Sequence, residues 1–216
     1  MKNNQTGRSM VEMLGVLAII GVLSAGGLAG YSKAMFKHKL NTTMEQITML
    51  VTNIRTHFGT QRNYSALSEA NLISLGVIPA VMGKSADKLK NPFKGSVAIG
   101  KSHARSTDTT DTAFTVTYSG LPKEACIALA TADFGSGAGS GFIGVVVGTK
   151  DADNADSPAE GTLNLDVYIG QGNGRAAGDG NVGLQAASRG EGQAYKMSDA
   201  ITACSSENNV VSWKFY

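Results

Sequence analysis

The chain has 216 residues, which is enough for one medium domain with an additional segment but too few for two full domains. Its 19 Lys and Arg residues against 17 Asp and Glu give a net charge of +2, which argues against a dedicated nucleic-acid-binding protein. A hydrophobic content of 42% excludes a disordered chain and a protein with many membrane spans. The 27 glycines lack the three-residue period of collagen, and two cysteines cannot by themselves form a four-ligand zinc site.

A long apolar run lies near the start of the chain. The 19 residues from Met13 to Tyr31 carry no charge, and a helix of that length spans roughly 28 Å, close to the thickness of a bilayer core. One interpretation is a secretory signal peptide, for which the small residues Ser24 to Gly27 could serve as the cleavage site. A plain membrane anchor is the second interpretation.

Two features argue against both interpretations. The carboxylate of Glu12 lies at the edge of the apolar run, where a charge is costly and usually has a function. The chain also continues without a proline into a segment whose apolar residues recur every three or four positions until Gly59. These positions are Phe36, Leu40, Met44, Ile47, Val51, Ile54 and Phe58. The pattern predicts one helix from about Ser9 to Phe58, with an amphipathic second half that faces a core rather than a coiled-coil partner.

The N-terminal sequence G-R-S-M-V-E, followed by an apolar run with scattered glycines, resembles the processing site of type IV prepilins. In that family a membrane peptidase cuts after a glycine, and a glutamate lies five residues into the processed chain. The resemblance implies cleavage between Gly7 and Arg8, methylation of the Arg8 amine and an assembly role for Glu12. Glu12 would neutralise the N-terminal amine of a neighbouring subunit, because a buried carboxylate without a partner is costly. The seven-residue leader and Arg8 as the first residue depart from the family pattern, and the Arg8 guanidinium adds a charge with no assigned partner.

Two later segments resemble the type IVb pilins of the toxin-coregulated and bundle-forming kind. They are DKLKNPFKG at 87–95 and AFTVTYSGLPKEACIALAT at 113–131. In a periplasmic or extracellular head, Cys126 and Cys204 are expected to form a disulfide that bounds residues 126–204, the variable surface region of the family. Two buried free thiols remain the alternative.

Glycines in the apolar run have two interpretations. They are Gly15, Gly21, Gly26, Gly27 and Gly30. Glycine lowers helix stability by about 1 kcal/mol, so the segment could melt on leaving the lipid. Ordinary close packing against neighbouring helices is the alternative.

The fold prediction is an α+β protein, in which a long N-terminal helix packs on an antiparallel β-sheet head with one disulfide. The predicted segments are the leader at 1–7, a transmembrane and filament-core helix at 8–31, an amphipathic half-helix at 32–59 and the head at 60–216. Head helices are expected near Ser65 to Leu75, from Pro122 and near Ser198. Strands are expected at Val97 to Ile99, Phe114 to Tyr118, Phe142 to Val147, Leu163 to Ile169 and Val210 to Phe215, the last with alternating faces.

No catalytic, cofactor or metal site is predicted. The glycine-rich stretches at 134–144 and 169–183 do not fit a phosphate-binding loop and are interpreted as surface loops. The acidic segment at 151–156 departs from a calcium loop at several positions, so a solvated loop is favoured and weak calcium binding stays open. The three histidines, His38, His57 and His103, lack the spacing of a ligand pair.

The sequence therefore predicts a structural subunit, most simply the major pilin of a type IV pilus, and not an enzyme. Its expected partners are copies of itself, the prepilin peptidase, the inner-membrane assembly machinery and the membrane before assembly, with the surface receptor unspecified. The expected location is the inner membrane of a Gram-negative bacterium and then an extracellular filament for adhesion, aggregation, DNA transfer or motility. A minor pilin, a type II secretion pseudopilin and a membrane-anchored periplasmic binding protein are the alternatives.

Membrane orientation follows from the resemblance and not from the charges. Lys2 and Arg8 precede the apolar run, whereas Lys33, Lys37 and Lys39 follow it, so the count of basic residues is close to a tie. The resemblance places the leader in the cytoplasm.

Overall fold

A computed structural model describes residues 10–61, 63–83, 89–102, 110–135, 141–149, 182–183 and 196–216. The chain divides into two units, Met1–Asn41 and Thr42–Tyr216. Helix α1, Met10–Phe58, begins in the first unit and ends in the second. The helix predicted from about Ser9 to Phe58 is thus confirmed over all its described residues.

In the first unit, α1 presents its side chains to the surroundings. Every residue from Met10 to Ala34 is exposed, and the apolar side chains point in all directions around the helix. Such a surface has no single buried stripe, because apolar residues occur on all sides of this segment.

In the second unit, the end of α1 buries one face. The buried residues are Thr43, Gln46, Ile47, Leu50, Val51, Ile54 and Phe58, a spacing of three and four that keeps them on one side of the helix. The predicted core face was correct at Ile47, Val51, Ile54 and Phe58. It omitted Leu50 and the two polar residues. It also included Phe36, Leu40 and Met44, which are only half-buried.

An antiparallel sheet forms the centre of the head. Its strands are β1 (Val97–Ser102), β2 (Ala113–Leu121), β3 (Phe142–Thr149), β4 (Val182–Gly183) and β5 (Asn209–Phe215). Their order across the sheet is β1-β2-β5-β3-β4, so the last strand of the chain lies in the middle. Val116 and Val145 flank Trp213 from the two neighbouring strands. The predicted strand at Leu163 to Ile169 lies outside the described residues, and the two-residue β4 was not predicted.

Three short helices and one 3₁₀ turn complete the described head. They are α2 (Glu69–Ser74), the 3₁₀ turn at Ala80–Met82, α3 (Lys123–Ala130) and α4 (Met197–Ala203). Helix α2 is shorter than expected because the Ser68 hydroxyl accepts from the amide of Asn71 and starts the helix there. Helix α3 follows Pro122, as the sequence predicts, and α4 starts one residue before Ser198.

The core lies between the sheet and the buried face of α1. On that side, Trp213 packs edge-on against Tyr118 and Phe134, with ring centroids 5.8 and 5.5 Å apart. The two residues that the sequence places on the other face of β5, Ser212 and Lys214, are buried as completely as the apolar residues. The reason is the central position of the strand, where the Ser212 hydroxyl lies 2.8 Å from that of Thr117 on β2. The long helix, the antiparallel sheet and the disulfide confirm the predicted α+β fold.

Candidate assembly surface and head core

Glu12 lies in the first turn of α1, and its side chain is exposed. A carboxylate near the start of a helix interacts favourably with the positive end of the helix dipole. Its neighbours Val11 and Met13 are also exposed. The predicted cleavage site, Gly7 and Arg8, lies outside the described residues. The structure therefore places Glu12 on an accessible surface.

The apolar surface around Glu12 is extensive. The exposed fraction is 84% for Met10, 62% for Leu17 and 69% for Leu23. Within the described residues, α1 is the one helix long and apolar enough to cross a membrane, with a mean hydropathy of 2.1 over its most apolar window. A signal sequence would meet the same criterion by length and composition. This surface is expected to contact lipid or another protein rather than water, since apolar patches of this size are rare on soluble monomers.

The glycines of the apolar run have open space around them. A Cβ atom at Gly15, Gly21, Gly26, Gly27 or Gly30 would meet no atom of the described chain within 4 Å. Packing against the described part of the subunit therefore gives no reason for glycine at these positions. Close approach of a neighbouring helix would give one, because small residues let two helix backbones come together.

A disulfide joins α3 to the end of α4. Cys126 lies within α3 and Cys204 caps α4, and their Cα atoms are 5.9 Å apart. Both residues are completely buried. The predicted pair is confirmed, and the alternative of two free thiols is wrong.

Arg55 is a feature that the sequence did not indicate. Its Nε donates to the backbone carbonyl oxygen of Tyr216, 3.1 Å away, and its guanidinium lies over the ring of Phe215. Gly141 lies against the guanidinium, so closely that a Cβ there would collide with it. Burial lowers the pKa of Arg55 from its ordinary value, with an opposing contribution from Tyr64. The residue thus links α1 to the end of β5, and it retains its charge at neutral pH.

A groove of about 340 Å³ lies beside Arg55, within the second unit. Its walls come from α1 and from the segment after α3, and they include Val51, Thr52, Asp133 and Phe134. The Thr52 hydroxyl already donates to the carbonyl oxygen of Thr48. The groove combines an apolar floor with charges of both signs, which does not define one ligand class.

The described residues contain no group of three or more His, Cys, Asp and Glu side chains able to hold a metal ion. His38 and His57 lie on α1, 19 positions apart, whereas His103 and the acidic segment at 151–156 lie outside the described residues. Residues 136–140 of the first glycine-rich stretch and 169–181 of the second also lie outside them.

Comparison with known proteins gives three findings. The sequence profile of the Bundlin family matches residues 33–167. The major structural subunit of the bundle-forming pilus from Escherichia coli O127:H6 is 27% identical over 138 residues, which cover 63% of this chain and 69% of that protein. The toxin coregulated pilin of Vibrio cholerae serotype O1 is 29% identical, with 60% of this chain and 58% of that protein covered.

A solved structure is similar in fold. The crystal structure of TcpA, a type IV pilin from the El Tor biotype of Vibrio cholerae, superposes with a TM-score of 0.51. The match covers 83% of this chain and 99% of the other, at 18% sequence identity. At this identity the likeness concerns the arrangement of helices and strands.

Proposed function

Because the chain belongs to the Bundlin family of type IVb pilins, we propose that it is the major structural subunit of a type IVb pilus. The family match over residues 33–167 carries this conclusion, since it covers the amphipathic end of α1 and much of the head. The protein is accordingly a structural subunit and not an enzyme. A major subunit is favoured over a minor one, because the relative from Escherichia coli is described as the major structural subunit of its pilus.

The exposed apolar half of α1 supports a subunit that lies first in the membrane and then in the filament core. Lipid of the inner membrane covers this surface before assembly, and the same halves of neighbouring subunits cover it in the filament core. The open space around the glycines from Gly15 to Gly30 suits the second environment, where helices approach one another closely.

Processing prepares the chain for this transfer. The prepilin peptidase cuts after Gly7, the new amine of Arg8 is methylated, and Glu12 pairs with the amine of a neighbouring subunit. An exposed carboxylate at the apolar edge of α1 supports this role, because in a filament core free of water it requires a positive partner. The pairing also sets the axial stagger between subunits, since one stagger brings both charges together.

The head forms the outer surface of the filament. The sheet and the disulfide between Cys126 and Cys204 stabilise this head. The inner-membrane assembly machinery adds the subunit to the filament. Adhesion, aggregation, DNA transfer and motility are the uses open to such a filament. A pseudopilin and a membrane-anchored binding protein are disfavoured by the family match, although the groove beside Arg55 is the feature on which a binding protein would rely.

The deciding experiment is the non-reduced intact mass of the protein in the surface fraction sheared from its native host. The expected mass lacks Met1 to Gly7, is heavier by one methyl group and is lighter by the two hydrogens lost in the disulfide. Reduction before the measurement restores the two hydrogens and serves as the control. Full-length chain confined to membranes, with none in the sheared fraction, would refute the proposal.

A further inference from the structure

A group of basic residues encircles α1 just beyond the apolar run. Lys33, Lys37, His38 and Lys39, here called the basic collar, follow Tyr31 without an intervening acidic residue. Lys33 and Lys37 are exposed. The nearest acidic residues along the chain are Glu12 and Glu45. Because successive residues turn by about 100°, the four side chains point around the helix and do not form one stripe.

The position of the collar along the helix fits the headgroup layer of a bilayer. The segment from Met10 to Tyr31 rises roughly 33 Å, against about 30 Å for the hydrocarbon core. The collar itself, from Lys33 to Lys39, rises roughly 9 Å, comparable with the polar layer outside that core. Tyr31 lies at the junction with its ring exposed, where aromatic side chains favour the membrane interface.

The collar also lies on the unexpected side of the membrane. With the leader in the cytoplasm, these basic residues are on the face to which the head is exported, where Lys and Arg are usually depleted. Positive charge on that face is attracted to anionic groups of the membrane surface. Phosphate groups of anionic lipids are such groups, and each basic residue near such a surface strengthens the attraction about fivefold.

We propose that the basic collar binds the phosphate groups of anionic phospholipids on the membrane face where the head lies. This inference rests on the proposed function, because it requires α1 to span the membrane before assembly. The contacts hold the apolar run of the unassembled subunit at a fixed depth in the lipid. They are broken when the subunit enters the filament, so the lipid charge influences how readily subunits leave the membrane.

The test uses the full chain in lipid nanodiscs that contain equal amounts of phosphatidylglycerol and phosphatidylcholine. Native mass spectrometry then counts the lipids of each kind that remain bound to the released protein. We expect the wild-type chain to retain phosphatidylglycerol over phosphatidylcholine about fivefold or more, and less so at high salt. The double variant Lys33→Gln, Lys37→Gln should retain both lipids nearly equally, with little change in helix propensity.

A matched control removes two exposed lysines of the head, Lys90→Gln and Lys94→Gln, which changes the net charge equally. This control should keep the wild-type lipid preference. Equal retention of both lipids by the wild-type chain would overturn the proposal, as would an unchanged preference in the collar variant. If the collar variant lowered the filament yield but kept the wild-type lipid preference, the collar would instead bind acidic groups of a second copy.

The outcomes also separate this proposal from the proposed function. A chain that does not insert into nanodiscs contradicts the membrane-spanning role itself, and both proposals fail. A chain that inserts and assembles but shows no lipid preference contradicts the collar proposal alone.

Discussion

Arg55 on α1 donates a hydrogen bond from Nε to the backbone carbonyl oxygen of Tyr216, 161 positions later in the chain and 3.1 Å away. The guanidinium carbon also lies 5.4 Å from the centroid of the Phe215 ring. These two contacts attach the long helix to the central strand of the sheet at its last residues. The packing of the helix on the head therefore depends on a polar contact as well as on apolar burial.

Replacing Arg55 by methionine should destabilise the head by about 1–2 kcal/mol, through loss of the hydrogen bond and of the cation–π contact. Methionine keeps the apolar stem, so the change isolates the guanidinium. The measurement is urea unfolding of the full chain in a mild non-ionic detergent. Fluorescence of Trp213, the single tryptophan of the chain, reports on the head because its ring is buried against the sheet.

His57→Gln serves as the control for Arg55→Met, because His57 is an exposed residue two positions further along the same helix. It should leave the urea midpoint unchanged. Equal midpoints for Arg55→Met and the wild-type chain would show that the contact to Tyr216 does not contribute to stability.

The sequence predicts the features that depend on local pattern. The repeat of apolar residues defined α1, Pro122 marked the start of α3, and alternation located most of β2 and β5. The prediction of the disulfide was correct, because the resemblance implied that the head is exported and paired cysteines are expected in exported proteins.

The features that the sequence did not reveal depend on contacts between distant parts of the chain. Arg55 acquires its role only when β5 lies in the middle of the sheet, and no local pattern specifies that order. For the same reason no local pattern indicates that Lys214 is buried. Phe134 belongs to a glycine-rich stretch that was interpreted as a surface loop, yet its ring packs against Trp213.

Removing the disulfide should destabilise the head by about 4 kcal/mol, because Cys126 and Cys204 close a large loop in the unfolded chain. The variant Cys126→Ala, Cys204→Ala suits two fully buried positions, since alanine introduces no polar group. The measurement is the same urea titration, with the reduced wild-type chain as a comparison. A loss below about 1 kcal/mol would contradict a stabilising role for the bond.

The edge of the sheet depends on Glu69. Its Oε1 accepts from the backbone amide of Ile99 on edge strand β1, at 3.0 Å. Glu69→Ala should expose this amide and increase its hydrogen-exchange rate about tenfold or more, for a loss of roughly 1–2 kcal/mol. Glu69→Gln retains an acceptor oxygen and should stay near the wild-type rate. Amide exchange followed by NMR distinguishes the two, and equal rates at Ile99 in all three chains would exclude the contact.

High pH should destabilise the head through Tyr118. Burial raises the pKa of this phenol well above its ordinary value of 10.0, so the folded state holds the neutral form. The stability from this group is fully present below pH 10 and is lost as the pH rises further, because the unfolded chain releases the proton first. The loss should reach about 1.4 kcal/mol per pH unit above that point.

Tyr118→Phe should remove this part of the pH dependence. At pH 7 the variant should be as stable as the wild-type chain or slightly more so, because Tyr118 Oη has no hydrogen-bond partner within the described part of the chain. Tyr31→Phe, at an exposed position, should retain the wild-type loss. Urea titrations at pH 7 and pH 11 provide the comparison, and an unchanged alkaline loss in Tyr118→Phe would assign it to other groups.

Filament assembly should require the charge of Glu12. In the proposed filament core, Glu12→Gln keeps the size and the hydrogen-bonding capacity of the side chain but leaves the amine of a neighbouring subunit without a counter-ion. Burying that unpaired charge costs several kcal/mol, so the yield of sheared filaments should fall at least tenfold. Membrane insertion should be normal, because a neutral amide at the edge of the span is less costly there than a carboxylate. Glu45→Gln, at an exposed position later in α1, removes the same charge and should assemble normally. The measurement is the ratio of sheared to membrane-bound protein in the native host. Normal filament yield from Glu12→Gln would show that the subunits find their register without this charge.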